Sequence, residues 1–138
     1  MAREIKFRGK RVDNGKWVYG YYWVNKSATR KTAIIVNEYG DMFQIDHETA
    51  GQYTGLKDRN NNEIYEGDIL EITGNYNPGK YIVIWDDYRV AWWGENIKKK
   101  SRERQYDDDH YQLLGAFQKD ITEIIGDIYR NPELLEVE

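Results

Sequence analysis

The 138 residues suit one ordinary domain or a small two-lobed one, and a hydrophobic content of 40% supplies a real core. The chain contains no cysteine, which excludes disulfides, thiolate nucleophiles and sulfur-ligated zinc and fits a reducing cytoplasm. Its net charge of −4 conceals a split: residues 1–31 carry nine Lys or Arg against Glu4 and Asp13, a balance of +7, and the rest of the chain a balance of −11.

From Glu4 onward, Ile5 and Phe7 alternate with Lys6 and Arg8 at the period of a half-buried strand. Asp13-Asn14-Gly15 supplies residues that tolerate positive φ, and Lys16 to Val24 resumes as the second strand of a hairpin. In that strand Trp17, Tyr19, Tyr21 and Trp23 share one face and Val18, Tyr22 and Val24 the other, so it is expected to be covered on both sides or to lie in an interface. The polar stretch 25–31 is a loop. Ala33–Val36 and Met42–Ile45, joined through Tyr39-Gly40-Asp41, make a second hairpin, and His47–Gly51 one helical turn.

Gln52–Leu56 is extended. The chain must then turn between Lys57 and Asn62, where Asp58, Asn60, Asn61 and Asn62 best bond their own backbone and enter the left-handed region. Glu66-Gly67 forms a tight turn into a strand with Ile69 or Leu70 facing inward, and 75–79 is a loop. Tyr81–Trp85 and Arg89–Trp93 form a hairpin around Asp86-Asp87. Glu95–His110 is a charged loop or frayed helix, Tyr111–Phe117 fits a strand or a short helix, and Asp120–Ile125 alternates and closes the sheet. Pro132–Leu135 forms a last helical turn with Asn131 as its cap. Short strands at regular spacing indicate an all-β chain with minor helical turns: a hairpin-rich N-terminal region, residues 1–63, packed with a C-terminal SH3-like barrel, residues 64–138, as one compact unit.

Three segments carry a family resemblance: Arg3-Glu-Ile-Lys-Phe-Arg8, the stretch from Gln52 to Asp68, and Gly126-Asp-Ile-Tyr-Arg-Asn-Pro-Glu-Leu-Leu135. Together they resemble the YopX-like family of small proteins encoded by bacteriophages and prophages. The resemblance implies an SH3-like fold for the C-terminal half and a lineage without a reaction. Asn61-Asn62 stands where the family usually has an Asn-Gly or similar pair, which keeps the turn chemistry without glycine's full freedom.

The candidate chemistries are few. His47 and His110 lie near Asp46, Glu48 and Asp107–Asp109, yet no ligand spacing of a known zinc or iron site appears, and neither metal nor cofactor is expected. Glu66 and Asp68 flank Gly67 and could share a strand face as an acid-base pair; the competing reading has Asp68 accepting backbone N–H groups, with Asp58, Asn61, Gly67 and Asp68 as a structural turn motif. No nucleophile elbow or phosphate-cradling loop is present, and no catalytic residue is assigned. Lys6, Arg8, Lys10, Arg11 and Lys16 beside Trp17, Tyr19 and Tyr21 form a candidate surface for a protein partner or single-stranded nucleic acid, with the Lys98–Arg104 run as a second phosphate contact.

Twelve Tyr and five Trp are more aromatic surface than one small barrel buries. The first expectation is therefore a non-enzymatic phage or prophage accessory protein acting by association, as a homo-oligomer or with a host or phage protein. A nucleic-acid-binding module is the alternative, and an enzyme ranks third. No apolar run approaches the roughly 20 residues of a membrane span, so the expected location is the bacterial host's cytoplasm, with no membrane partner.

Overall fold

The structure, a computed structural model, describes residues 4–25, 32–74, 78–87, 90–97, 111–113 and 119–136. The chain is all-β and divides into two compact units, Met1–Gly55 and Leu56–Glu138, which places the Asn-rich turn in the second.

In the first unit β1 (Phe7–Lys10) and β2 (Trp17–Asn25) form the hairpin that Asp13-Asn14-Gly15 predicts. Gly15 takes φ 69° and its N–H donates to the Arg11 carbonyl at 2.9 Å, while Asn14 Oδ1 accepts from Lys16 N at 2.9 Å. Ile5 lies before β1 and is exposed, so the strand starts later than the alternation suggests. The strands β3 (Thr32–Val36) and β4 (Met42–Ile45) make the second hairpin, and β5 (Gly51–Lys57) pairs with β1, giving the order β4-β3-β2-β1-β5.

These strands also curl. Residues 17–20 of β2 pair with β1 and residues 21–25 with β3, so Gly20 is the corner between two ladders. Beyond it, β4 returns to the end of β1: Arg11 bridges Ile45, Val12 N donates to Gln44 O at 3.1 Å, and Asp46 N donates to Lys10 O at 2.8 Å. The enclosed core is Ala33, Ile35 and Ile45 with Phe7, Val18, Tyr22 and Ala50 packed on it. The even-numbered face of β2 is turned inward, but Tyr19, Tyr21 and Trp23 are exposed, so coverage on both sides does not hold within this chain. The expected helical turn is a 3₁₀ turn, His47–Thr49, capped by Asp46 Oδ1 accepting from Glu48 N at 3.1 Å.

Next, β5 crosses the division between the units by sequence, and β6 (Glu63–Tyr65) is its neighbour. The second unit continues with β7 (Asp68–Ile72), β8 (Gly79–Asp86), β9 (Ala91–Asn96), β10 (Tyr111–Leu113) and β11 (Thr122–Asp127), ordered β10-β9-β8-β7-β11 and antiparallel throughout. Among the described residues no pairing joins β10 to β11.

Both Ile69 and Leu70 are fully buried, because this sheet carries packing on two faces. On one side Ile64, Leu70 and Val83 meet Trp92 and Ile124. On the other Ile69, Ile82 and Ile97 meet Ile125, Ile128, Leu134 and Leu135. A strand buried on both faces needs no alternation, which is why the sequence offered no choice between the two residues.

Two further differences arise near the C-terminus. Residues Lys119–Ile121 form a 3₁₀ turn, so β11 begins at Thr122 and runs on to Asp127. The turn Pro132–Leu135 is present, but Asn131 makes no side-chain cap; its Oδ1 instead accepts from Asp127 N at 3.3 Å. The expected loop 25–31 beyond Asn25, the charged run from Lys98 to His110, residues 75–77 of the next loop, Arg89 and residues 114–117 lie outside the described residues.

Candidate functional site

Two of the family-like segments, distant in sequence, adjoin each other in the second unit: the end of the Gln52–Asp68 stretch and the start of Gly126–Leu135. Asp68 pairs with Asp127 and Ile69 with Gly126 across the β7–β11 ladder, and Ile128 N donates to Gly67 O at 3.0 Å. Three aspartates there are almost wholly buried: Asp58, Asp68 and Asp127. Burial of a carboxylate is costly unless donors surround it. Each is met by backbone amides.

Asp58 Oδ1 accepts from Asn60 N and Asn62 N, both at 2.9 Å, and its Oδ2 from Ile124 N at 3.0 Å. Asn61 holds the left-handed conformation at φ 65°, with its N–H bonded to Asp58 O at 3.0 Å. Asp68 Oδ2 accepts from Tyr65 N at 2.8 Å, and Gly67, at φ 90°, donates its N–H to Val83 O at 2.9 Å. Asp127 takes Tyr129 N at 3.0 Å and Arg130 N at 2.8 Å on Oδ1, and Arg130 Nε at 2.6 Å on Oδ2.

Glu66 lies in the turn between β6 and β7, not on a strand, so strand alternation does not put it on a face with Asp68. The carboxylates therefore organise turns. Asp127 received no role from sequence reasoning; its signal is the run Asp127-Ile-Tyr-Arg-Asn-Pro132, a side-chain acceptor followed at two and three residues by the amides it collects.

The basic aromatic hairpin is divided by the strand period. Arg8 and Lys10 point to the same side of the sheet as Trp17 and Tyr19, their cross-strand partners. Arg8 is only 5% exposed, with its guanidinium 4.2 Å from the Trp17 ring centre, and Lys10 Nζ is 5.5 Å from the same ring. Lys6 sits 5.6 Å over the Tyr53 ring and pairs with Glu4 at 3.3 Å. Arg11 falls on the other side, 4.6 Å over Phe43, with Nε donating to Asp13 Oδ1 at 2.9 Å. Lys16 is exposed near the turn.

What stands open beside this group is uncharged. Tyr19, Tyr21 and Trp23 are 44%, 68% and 51% exposed in succession along β2. Across the ladder Tyr21 faces Val36, which faces exposed Met42, and Trp23 faces Ile34. Sequence reasoning placed Trp23 on this face but did not include Ile34, Val36 or Met42, because only the register of β3 and β4 brings them alongside. Exposed contiguous apolar surface of this kind marks contact sites.

No set of three or more His, Asp or Glu is placed to hold a metal ion among the described residues. Asp46 is engaged with the 3₁₀ turn it caps, and His110 with Asp107–Asp109 lies outside the described residues.

Residues 6–136 match the family model described as YopX protein. No curated protein matches the chain. The crystal structure of protein EF1440 from Enterococcus faecalis is similar in fold, with 21% identity and a TM-score of 0.52 over 98% of this chain and 100% of that one.

Proposed function

The chain belongs to the YopX family, and from that premise we propose that it is a non-catalytic phage or prophage accessory protein that works by association, chiefly with a second copy of itself. The observation that carries this reading is the uncharged face formed by Tyr19, Tyr21, Trp23, Ile34, Val36 and Met42. Half-exposed rings of this size leave roughly 100 Å² each for a partner, about 2.5 kcal/mol apiece. Three rings supply about 7.5 kcal/mol, in the middle of the roughly 4–15 kcal/mol cost of association, whereas a two-fold pair buries six, about 15 kcal/mol, and reaches the top of that range.

Charge placement agrees. Lys10 on β1 and the exposed Glu38 and Asp41 in the β3–β4 turn supply charges of opposite sign in the unit that carries the patch, which suits complementary contact between copies. The cysteine-free composition is consistent with a bacterial cytoplasm. Single-stranded nucleic acid is the second reading, favoured by the same exposed rings as stacking platforms. It has less support because Arg8 is buried and Arg11 lies on the opposite side of the strand, tied to Asp13.

Light scattering across a dilution series checks the proposal. The native chain is expected to show a dimer mass that falls with dilution, and Tyr21→Ala/Trp23→Ala a monomer mass at all concentrations with unchanged circular dichroism. A native chain that is monomeric throughout would overturn self-association. Oligonucleotide binding that weakens steeply with salt and on Lys16→Ala would move the assignment to the second reading.

A further inference from the structure

In the second unit, Ile121 O accepts from Thr73 N of the segment after β7, so Ile121 turns its backbone toward β7. Strand alternation then turns the backbone groups of Thr122 and Ile124 away from β7, along the outer edge of β11. An outward-facing strand edge is a template for another strand unless its backbone groups are occupied. The sequence Thr122-Glu-Ile-Ile125 is strongly β-forming.

Two of those groups are taken by the Asn-rich turn. Thr122 O accepts from Arg59 N at 2.8 Å, and Ile124 N donates to Asp58 Oδ2 at 3.0 Å. The turn is itself held in shape by Asp58 N donating to Asn62 O at 2.9 Å, and Lys119 Nζ donates to Asn61 Oδ1 at 3.0 Å. One carboxylate thus serves two purposes: Oδ1 shapes the turn, and Oδ2 replaces the carbonyl that a neighbouring strand would offer.

We propose that the turn from Asp58 to Asn62 is an edge guard, which keeps β11 from adding the β11 strand of a second copy. The contact differs from the aromatic face of the first unit. It is tested in the Tyr21→Ala/Trp23→Ala background, where the other association is removed.

Two substitutions open the guard without erasing the turn. Asp58→Asn retains an acceptor for Asn60 and Asn62 but presents an NH₂ group to the Ile124 amide. Arg59→Pro suits the second position of the turn closed by the bond from Asn61 N to Asp58 O, yet lacks the N–H that Thr122 uses. In the Asp58→Asn protein, amide exchange at Ile124 is expected to accelerate about 10- to 100-fold relative to Asn60 and Asn62. Either variant should shift from monomer to dimer mass with rising concentration, and Ile124 should regain protection in the dimer.

Unchanged exchange at Ile124 in Asp58→Asn would overturn the latch. Accelerated exchange with both variants monomeric at every concentration would overturn the guarding role. Should Asp58→Asn fail to fold, the Arg59→Pro dilution series decides alone: dimerisation supports the guard and a persistent monomer overturns it.

Discussion

Replacing Gly20 with alanine is expected to lower stability by at least about 3 kcal/mol, roughly 10 °C in melting temperature for a chain of this size. Gly20 is the corner of β2, with φ 154°, paired to Phe7 behind it and followed by Tyr21 pairing to Val36. A Cβ there would fall on the carbonyl oxygen of Val36, backbone that belongs to the β2–β3 ladder. A flexible side chain could swing aside; a carbonyl in a ladder cannot move without breaking its bonds. Steric overlap and an unfavourable φ therefore add. Urea unfolding followed by tryptophan fluorescence measures the loss, and a change under about 1 kcal/mol would contradict the corner geometry.

Asp127→Ala is expected to cost about 3 kcal/mol at neutral pH, because it strands the amides of Tyr129 and Arg130 and deletes a bond to the Arg130 side chain. Most of this belongs to the backbone bonds. The Arg130 side chain is 56% exposed, so solvent screens its charge. Burial by itself raises the Asp127 pKa, but the Arg130 amide, the Arg130 side chain with its charge, and the Tyr129 amide together outweigh burial and hold the group below the ordinary carboxylate value.

The sign for pH follows. A depressed folded-state pKa contributes stability that is fully present above the unfolded value, about pH 4, and lost as pH falls through the folded value. Asp127→Asn should therefore lie below the native protein at pH 7 and converge with it in acid. Denaturant midpoints for both proteins at pH 7 and pH 3 check this, and a constant gap would show that ionisation of Asp127 contributes nothing.

Much of the fold was legible where the determinants are local. Asp13-Asn14-Gly15 fixes its hairpin because Gly15 alone supplies the required φ, and Gly67 announces the β6–β7 turn for the same reason. The expected structural role for Asp58 and Asp68 rested on short-range bonding, and both carboxylates accept amides within four residues. The candidate surface was legible only in part. Its residue types were evident, yet Arg11 departs from Arg8 and Lys10 because one extra residue reverses the side of the sheet.

The sequence by itself determined the all-β class, the positions of the turns and the family-like segments, because hydrophobic period and turn chemistry act over a few residues. Tertiary structure alone decided which faces are covered. It placed Val36 and Met42 beside Tyr21, curled β4 back to Arg11, and brought Asp58 to Ile124 across 66 positions of sequence. Register and edge pairing depend on partners distant along the chain, so no local pattern encodes them. The Gln52–Asp68 segment accordingly gains its meaning from β11, whose outer edge its turn occupies.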